Sequence, residues 1–76
     1  MKPFTLVGVD GNAFSIMGYT DRALRTAGLG NLSKEMTEKA TSGDYSNLIC
    51  VCDRYIDRCN REERNVSLHS RDKSSG

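Results

Sequence analysis

The side chains best suited to chemistry gather in two polar turns. Val9-Asp10-Gly11-Asn12 sets an acid and a glycine between an apolar run and the start of a helical pattern. The first turn of a helix presents free backbone N–H groups, a geometry that holds anions. The run lacks the spaced glycines of a dinucleotide loop and the Lys-Ser/Thr of a phosphate loop, and Asp10 repels a phosphate. A turn with a capping carboxylate therefore competes with an anion site here. Ser42-Gly43-Asp44-Tyr45 is the second turn. It reads as a double cap between helices, or as a cluster of exposed hydroxyl, carboxylate and phenol groups that grips a small ligand. Tyr19 and Tyr45 add flat amphipathic surfaces for base stacking or protein contact. The candidate ligand-binding set is Asp10, Gly11, Asn12, Tyr19, Arg22, Asp44 and Tyr45. Gly11 and Asn12 would offer backbone donors, Arg22 charge and the tyrosines stacking. The carboxylates would accept hydrogen bonds from a ribose or a base edge.

Catalysis finds little support. His69 is the only histidine, and no pattern pairs a serine or cysteine with a base. Cys50, Cys52 and Cys59 fall within one helical segment. Cys50 and Cys52 lie about 200° apart around a helix and cannot chelate one metal together. The expectation is buried, reduced thiols in a reducing cytoplasm, with no catalytic residue, metal or cofactor.

The elements that must position the two turns follow from periodicity. Pro3 to Val9 is β-rich with apolar residues on both alternating faces, and reads as a short strand weakened at Gly8. No second strand pattern follows, so the strand would pair with its copy in another subunit. After Asn12, Ala13, Ile16, Met17, Thr20, Ala23, Leu24 and Ala27 recur at three- and four-residue steps, an amphipathic helix stopped by Gly28. The interior Gly18 suggests a close helix crossing or a kink. Ser33 is expected to cap a short helix to about Thr41, with Met36 and Ala40 inward. The third helix, Tyr45 to about Arg61, carries the strongest stripe: Leu48, Ile49, Cys52, Tyr55, Ile56 and Cys59. Cys50 and Val51 widen its apolar arc. From Glu62 onward the composition turns polar, and residues 62–76 read as a flexible tail behind a single domain of residues 1–61.

Length and charge bound what such elements can do. The chain has 76 residues, 11 basic and 10 acidic, for a net charge of +1. A chain of this size buries only about 60% of its unfolded surface, which is marginal without a partner subunit. Near-neutrality argues against a broad electrostatic nucleic-acid binder. No uncharged apolar stretch approaches the ~20 residues that span a bilayer, and no secretory signal is visible behind Lys2-Pro3. The fold class expected is α+β, mainly α: one short N-terminal strand and three helices. The first and third helices form the main hairpin, and a homo-oligomer completes the core.

The run Val9-Asp10-Gly11-Asn12-Ala13-Phe14-Ser15-Ile16-Met17-Gly18, then Ala23-Leu24-Arg25 with Ala27-Gly28, then Ala40-Thr41-Ser42-Gly43-Asp44-Tyr45 with Leu48, resembles a family of short proteins encoded by tailed phages and mobile elements. The resemblance covers about Leu6 to Cys59 and transfers no activity or catalytic residue. It implies a context: a small phage accessory protein acting in the host bacterial cytoplasm against a host enzyme or an antiphage defence. Together these readings describe a non-catalytic binding protein that takes a nucleotide-like signal or a host protein. The alternative is a nucleic-acid-binding regulator using the arginine faces of Arg22, Arg25, Arg54, Arg58 and Arg61.

Overall fold

The structure, a computed structural model, describes residues 3–75, with side chains as far as Glu62. It is mainly helical: α1 (Ala13–Thr26), a single 3-10 turn at Gly30–Leu32, α2 (Ser33–Ala40) and α3 (Tyr45–Ser75). No helix among the described residues is long and apolar enough to cross a membrane.

Local chemistry sets the helix ends. The Asn12 side chain accepts from the Phe14 N–H at 2.8 Å, and Asp10 accepts from the Asn12 N–H at 3.3 Å, so two short polar residues start α1 in series. At the other end Gly28 takes φ +78°, and the Leu29 N–H returns to the Leu24 carbonyl at 2.7 Å. With Gly28 N–H on the Arg25 carbonyl at 3.2 Å, this is a Schellman stop that a side chain at residue 28 would strain. Asp44 starts α3 by accepting from the Asn47 N–H at 2.9 Å. Ser33 does not cap α2 as expected. It is the first residue of the helix, and its hydroxyl donates to the Asp21 carboxylate of α1. A tertiary acceptor has taken the group that local capping would have used.

The three helices run alternately. Asp21 meets Ser33, so α1 and α2 are antiparallel, and Glu35 meets Tyr55 while Lys39 meets Asn47, so α2 and α3 are antiparallel too. Gly11, just before α1, touches Tyr45 at the start of α3, and Thr20 lies against Cys52 further along both. Helices α1 and α3 thus share their largest interface while running the same way. The expected α1–α3 hairpin is corrected: parallel neighbours need a crossover, and α2 supplies it. The core lies where the three stripes meet. Leu24, Met36, Cys52 and Cys59 are fully buried, with Ile16, Leu48 and Ile56 beside them. Thr20 is the one buried polar residue among those described; its hydroxyl donates to the Ile16 carbonyl at 2.8 Å and is satisfied within its own helix.

Four further expectations are overturned. No strand occurs among the described residues. Residues 3–12 form an irregular strap whose Leu6–Val9 segment closes a turn, the Val9 N–H on the Leu6 carbonyl at 3.1 Å and Gly8 at φ +88°. Positive φ at the third position is what a type II turn demands, so Gly8 bends the chain where alternation suggested it would extend. Helix α3 continues to Ser75, past the expected end near Arg61, because no glycine or proline interrupts residues 62–75. Of the polar tail read over 62–76, the side chains beyond Glu62, and the last residue altogether, lie outside the described residues. Gly18 is exposed, and an added Cβ there would meet open space, so no helix crosses it. Cys50 is exposed, so the apolar arc of α3 ends at Val51 and only Cys52 and Cys59 are buried thiols.

Candidate functional site

The two polar turns do adjoin. Tyr45, the first residue of α3, donates its hydroxyl to the Gly11 carbonyl just before α1. A Cβ at Gly11 would sit 3.6 Å from that hydroxyl, in ordinary contact. The parallel arrangement of α1 and α3 brings both helix starts to one end of the molecule. The other expected site residues are committed elsewhere. Asp10, Asn12 and Asp44 use their side-chain oxygens on backbone N–H groups of the helix starts. Tyr19 turns its hydroxyl to the strap, where it accepts from the Thr5 N–H at 3.0 Å. Arg22 is exposed and makes no hydrogen bond or ion pair among the described residues. Of the seven residues, Gly11 and Tyr45 are in direct contact, three serve as caps, one anchors the strap, and one stands in solvent.

A different set of residues lines an open groove of about 680 Å³ between α2 and α3. Glu35 and Lys39 form the α2 wall; Val51, Arg54, Tyr55, Asp57, Arg58, Arg61 and Glu62 come from α3. The α3 residues follow helical spacing, with 51, 54, 55, 58, 61 and 62 along one side of the helix. Tyr55 is nearly buried, and its hydroxyl donates to Glu35 Oε2 at 2.5 Å. Burial, and then the Glu35 carboxylate beside it, push the Tyr55 phenol up to about 12. The same hydrogen bond, and then the Lys39 ammonium 3.7 Å away, hold the Glu35 carboxyl below its ordinary range. At neutral pH the floor of the groove is a protonated phenol locked to a carboxylate.

The cations of the groove divide into two kinds. Lys39 is drawn to Glu35, and Arg61 is held by Asp57, its Nη2 at 2.5 Å and its Nε at 3.1 Å from the same oxygen. Arg54 and Arg58 make no ion pair within 4 Å among the described residues, although Arg58 is close enough to bias Glu35 and Tyr55 electrostatically. Four residues apart on one helix, their side chains are neighbours. The groove therefore presents two guanidinium groups without an ion pair among the described residues, beside the Tyr55–Glu35 hydrogen bond. Sequence reading grouped these arginines with Arg22 and Arg25 across α1 and α3; the structure instead sets Arg54, Arg58 and Arg61 against α2. Arg25 stays on α1, bridged to Asp21 at 3.0 Å.

Among the described residues, no group of three or more His, Cys, Asp or Glu side chains could hold a metal ion. Burial pushes the Cys52 thiol up, despite the Thr20 hydroxyl beside it, so it stays protonated and unreactive. Comparison with family models, with curated proteins and with solved structures finds no match.

The groove was missed in the sequence because its signal lies in tertiary pairing. The spacing of Arg54 and Arg58 was visible, but only the burial of Tyr55 against Glu35 turns that ridge into the wall of a cleft. The amide side chains of Asn47 and Asn60 were missed as well. Asn47 Nδ2 donates to the Lys39 carbonyl at 3.0 Å and closes the C-terminus of α2, while Asn60 binds the strap at Phe4. Neither asparagine carries a local motif that would announce these roles.

Proposed function

We propose that this chain is a non-catalytic binding protein whose α2–α3 groove takes a small anionic ligand of the nucleotide kind, with its phosphate on Arg54 and Arg58. The supporting observation is the pair of open guanidinium groups over the Tyr55–Glu35 floor. Guanidinium forks match phosphate oxygens, and each charge-assisted hydrogen bond is worth about 1.5–3 kcal/mol. The volume of about 680 Å³ suits a mononucleotide or a cyclic nucleotide. Val51, half-buried on the same side of α3, gives a sugar or base edge an apolar contact. The neighbouring acids Glu35, Asp57 and Glu62 disfavour a long polyanion. Two open cations would release only about two counterions from a nucleic-acid duplex, too few for firm binding at physiological salt. The resemblance to short phage proteins supplies the setting. In a host cytoplasm, a protein that holds a nucleotide-like signal without consuming it would blunt the defence or enzyme which that signal drives.

Isothermal calorimetry of the full chain against inorganic phosphate and a panel of mono- and cyclic nucleotides tests the reading. Saturable binding is expected from at least one nucleotide, weakened at least tenfold in the Arg54→Ala/Arg58→Ala double variant and unchanged in Arg22→Ala. Loss of binding in Arg22→Ala with the double variant unaffected would move the site to the two turns. Silence across the panel would overturn the nucleotide reading.

A further inference from the structure

The α2–α3 groove carries two different kinds of wall. Arg54 and Arg58 stand on α3, while Glu35 and Lys39 stand one turn apart on α2. A carboxylate in a groove that takes an anion repels the phosphate, so Glu35 weakens the site unless it does something else there. One task is structural, since Glu35 Oε2 accepts from the Tyr55 hydroxyl at 2.5 Å. That bond uses one of the roughly four acceptor positions of a carboxylate. Lys39 Nζ stands 3.7 Å from the same oxygen, and Oε1 makes no hydrogen bond among the described residues. Half of the Glu35 side chain is exposed. Other side chains of the groove are less able to read a base. The described lining holds no amide and no aliphatic hydroxyl, the Tyr55 proton is already given to Glu35, and Asp57 is engaged by Arg61. Glu62 lies about 10 Å further along α3 than Tyr55, at 1.5 Å per residue. On the α2 wall, then, a donor stands beside an acceptor with open positions.

We infer that the α2 wall reads the base and selects guanine: Glu35 accepts from guanine N1–H and the N2 amine, Lys39 donates to O6, and the phosphate lies across the groove on Arg54 and Arg58. Guanine selection rests on the nucleotide reading of this groove and names the nucleotide. The pairing edges of adenine, cytosine and uracil each carry one donor group, whereas guanine carries two side by side next to an acceptor. Only guanine therefore fills two positions of one carboxylate while Lys39 serves its neighbour. The Tyr55 hydrogen bond, and then the Lys39 ammonium, hold the Glu35 carboxyl below its ordinary range, so at neutral pH it is ionised and accepts only. The same bond fixes where the carboxylate stands before the ligand arrives, which lowers the entropy lost on binding. The bond to Tyr55 and the bonds to a base are compatible, because they use different acceptor positions.

Calorimetric titration of the full chain with guanine, hypoxanthine and adenine nucleotides, each as the 5′-monophosphate and the 3′,5′-cyclic monophosphate, tests this. The three share sugar and phosphate. Hypoxanthine keeps O6 and N1–H but lacks the N2 amine, and adenine has neither O6 nor N1–H. The guanine nucleotide is expected to bind at least about tenfold tighter than the other two, the lower end of what one charge-assisted hydrogen bond contributes. Glu35→Gln keeps an acceptor for the Tyr55 hydroxyl but turns an amine donor toward the base. It is expected to bring the guanine nucleotide down to the level of the adenine one, while inorganic phosphate binds as well as before or better, because a negative charge has left the groove. Equal binding of the three bases to the parent chain, or a preference for adenine or hypoxanthine, overturns guanine selection and leaves the nucleotide reading standing. Glu35→Gln weakening all three bases and phosphate alike also overturns it, since the carboxylate would then serve only to hold Tyr55. Silence of every nucleotide overturns both readings together.

Discussion

Removing the amide of Asn60 tests how the strap is held. Asn60→Ala deletes both bonds to Phe4, at 2.7 and 2.9 Å, in a part-buried setting. Each bond contributes about 0.5–1.5 kcal/mol net, so the pair predicts a loss of about 1–3 kcal/mol. For a domain of this size that is a large share of a total stability of ~5 kcal/mol. With a urea m-value of about 1 kcal/mol/M, the unfolding midpoint would fall by about 1–3 M if the strap and the helices unfold together. If the strap detaches first, the midpoint moves less, and the loss appears in amide exchange at Phe4 and Thr5, accelerated about 5- to 150-fold. Asn60→Leu separates hydrogen bonding from packing. It removes the same two bonds but keeps the branched outline of the side chain and adds apolar surface. The reasoning requires Asn60→Leu to lose the protection at Phe4 just as Asn60→Ala does. Wild-type exchange rates at Phe4 and Thr5 in both variants, with an unchanged urea midpoint, would refute the claim that the amide clamp holds the strap.

Other outcomes follow from single residues. Gly18→Ala is expected to stabilise the protein by about 0.5–1 kcal/mol, since Gly18 is helical, exposed and free of close neighbours; calorimetric melting that shows a loss would mean a hidden contact there. In a spectrophotometric titration near 295 nm, one of the three tyrosines should ionise only near pH 12. Because the folded pKa of Tyr55 lies above its ordinary value of 10, the stability it contributes is present below pH 10 and is lost as pH rises toward 12. Glu35 works in the opposite sense. Its folded pKa is lowered from 4.5, so its contribution is present above that value and is lost as pH falls through the lowered one; Tyr55→Phe should flatten this acid limb in pH-dependent urea denaturation. Of the three cysteines, a bulky thiol reagent should modify only Cys50 in the native protein and all three in denaturant. Rapid native modification of Cys52 would contradict its burial.

The helical framework was legible because it is local. The stripe of Leu48, Cys52, Tyr55, Ile56 and Cys59, the inward pair Met36 and Ala40, and the caps Asn12, Gly28 and Asp44 all rest on spacings within one or two turns, and each sits where periodicity put it. The candidate site was legible only in part. The two polar turns were legible as helix starts, but the meeting of Gly11 with Tyr45 was not, since the expected α1–α3 hairpin sets those starts at opposite ends; the carboxylates near them are caps, as their types always allowed.

Tertiary structure decided the rest, for a physical reason visible at each point. Pro3 to Val9 has the alternation of a strand, but a strand needs a ladder partner, and here Asn60 and Tyr19 satisfy the strap's main chain from helix surfaces while Gly8 turns it. Ser33 has the type of a helix cap, but an acceptor on another helix claimed its hydroxyl. Arg54 and Arg58 formed an ordinary charged ridge until Tyr55 and Glu35, 20 residues apart in the chain, closed a floor beneath them. By itself the sequence determined where the chain coils and which stripe turns inward, because those depend on neighbours three and four residues away. Which polar groups meet across helices depends on the packing direction of α1, α2 and α3, and only the folded chain settles that.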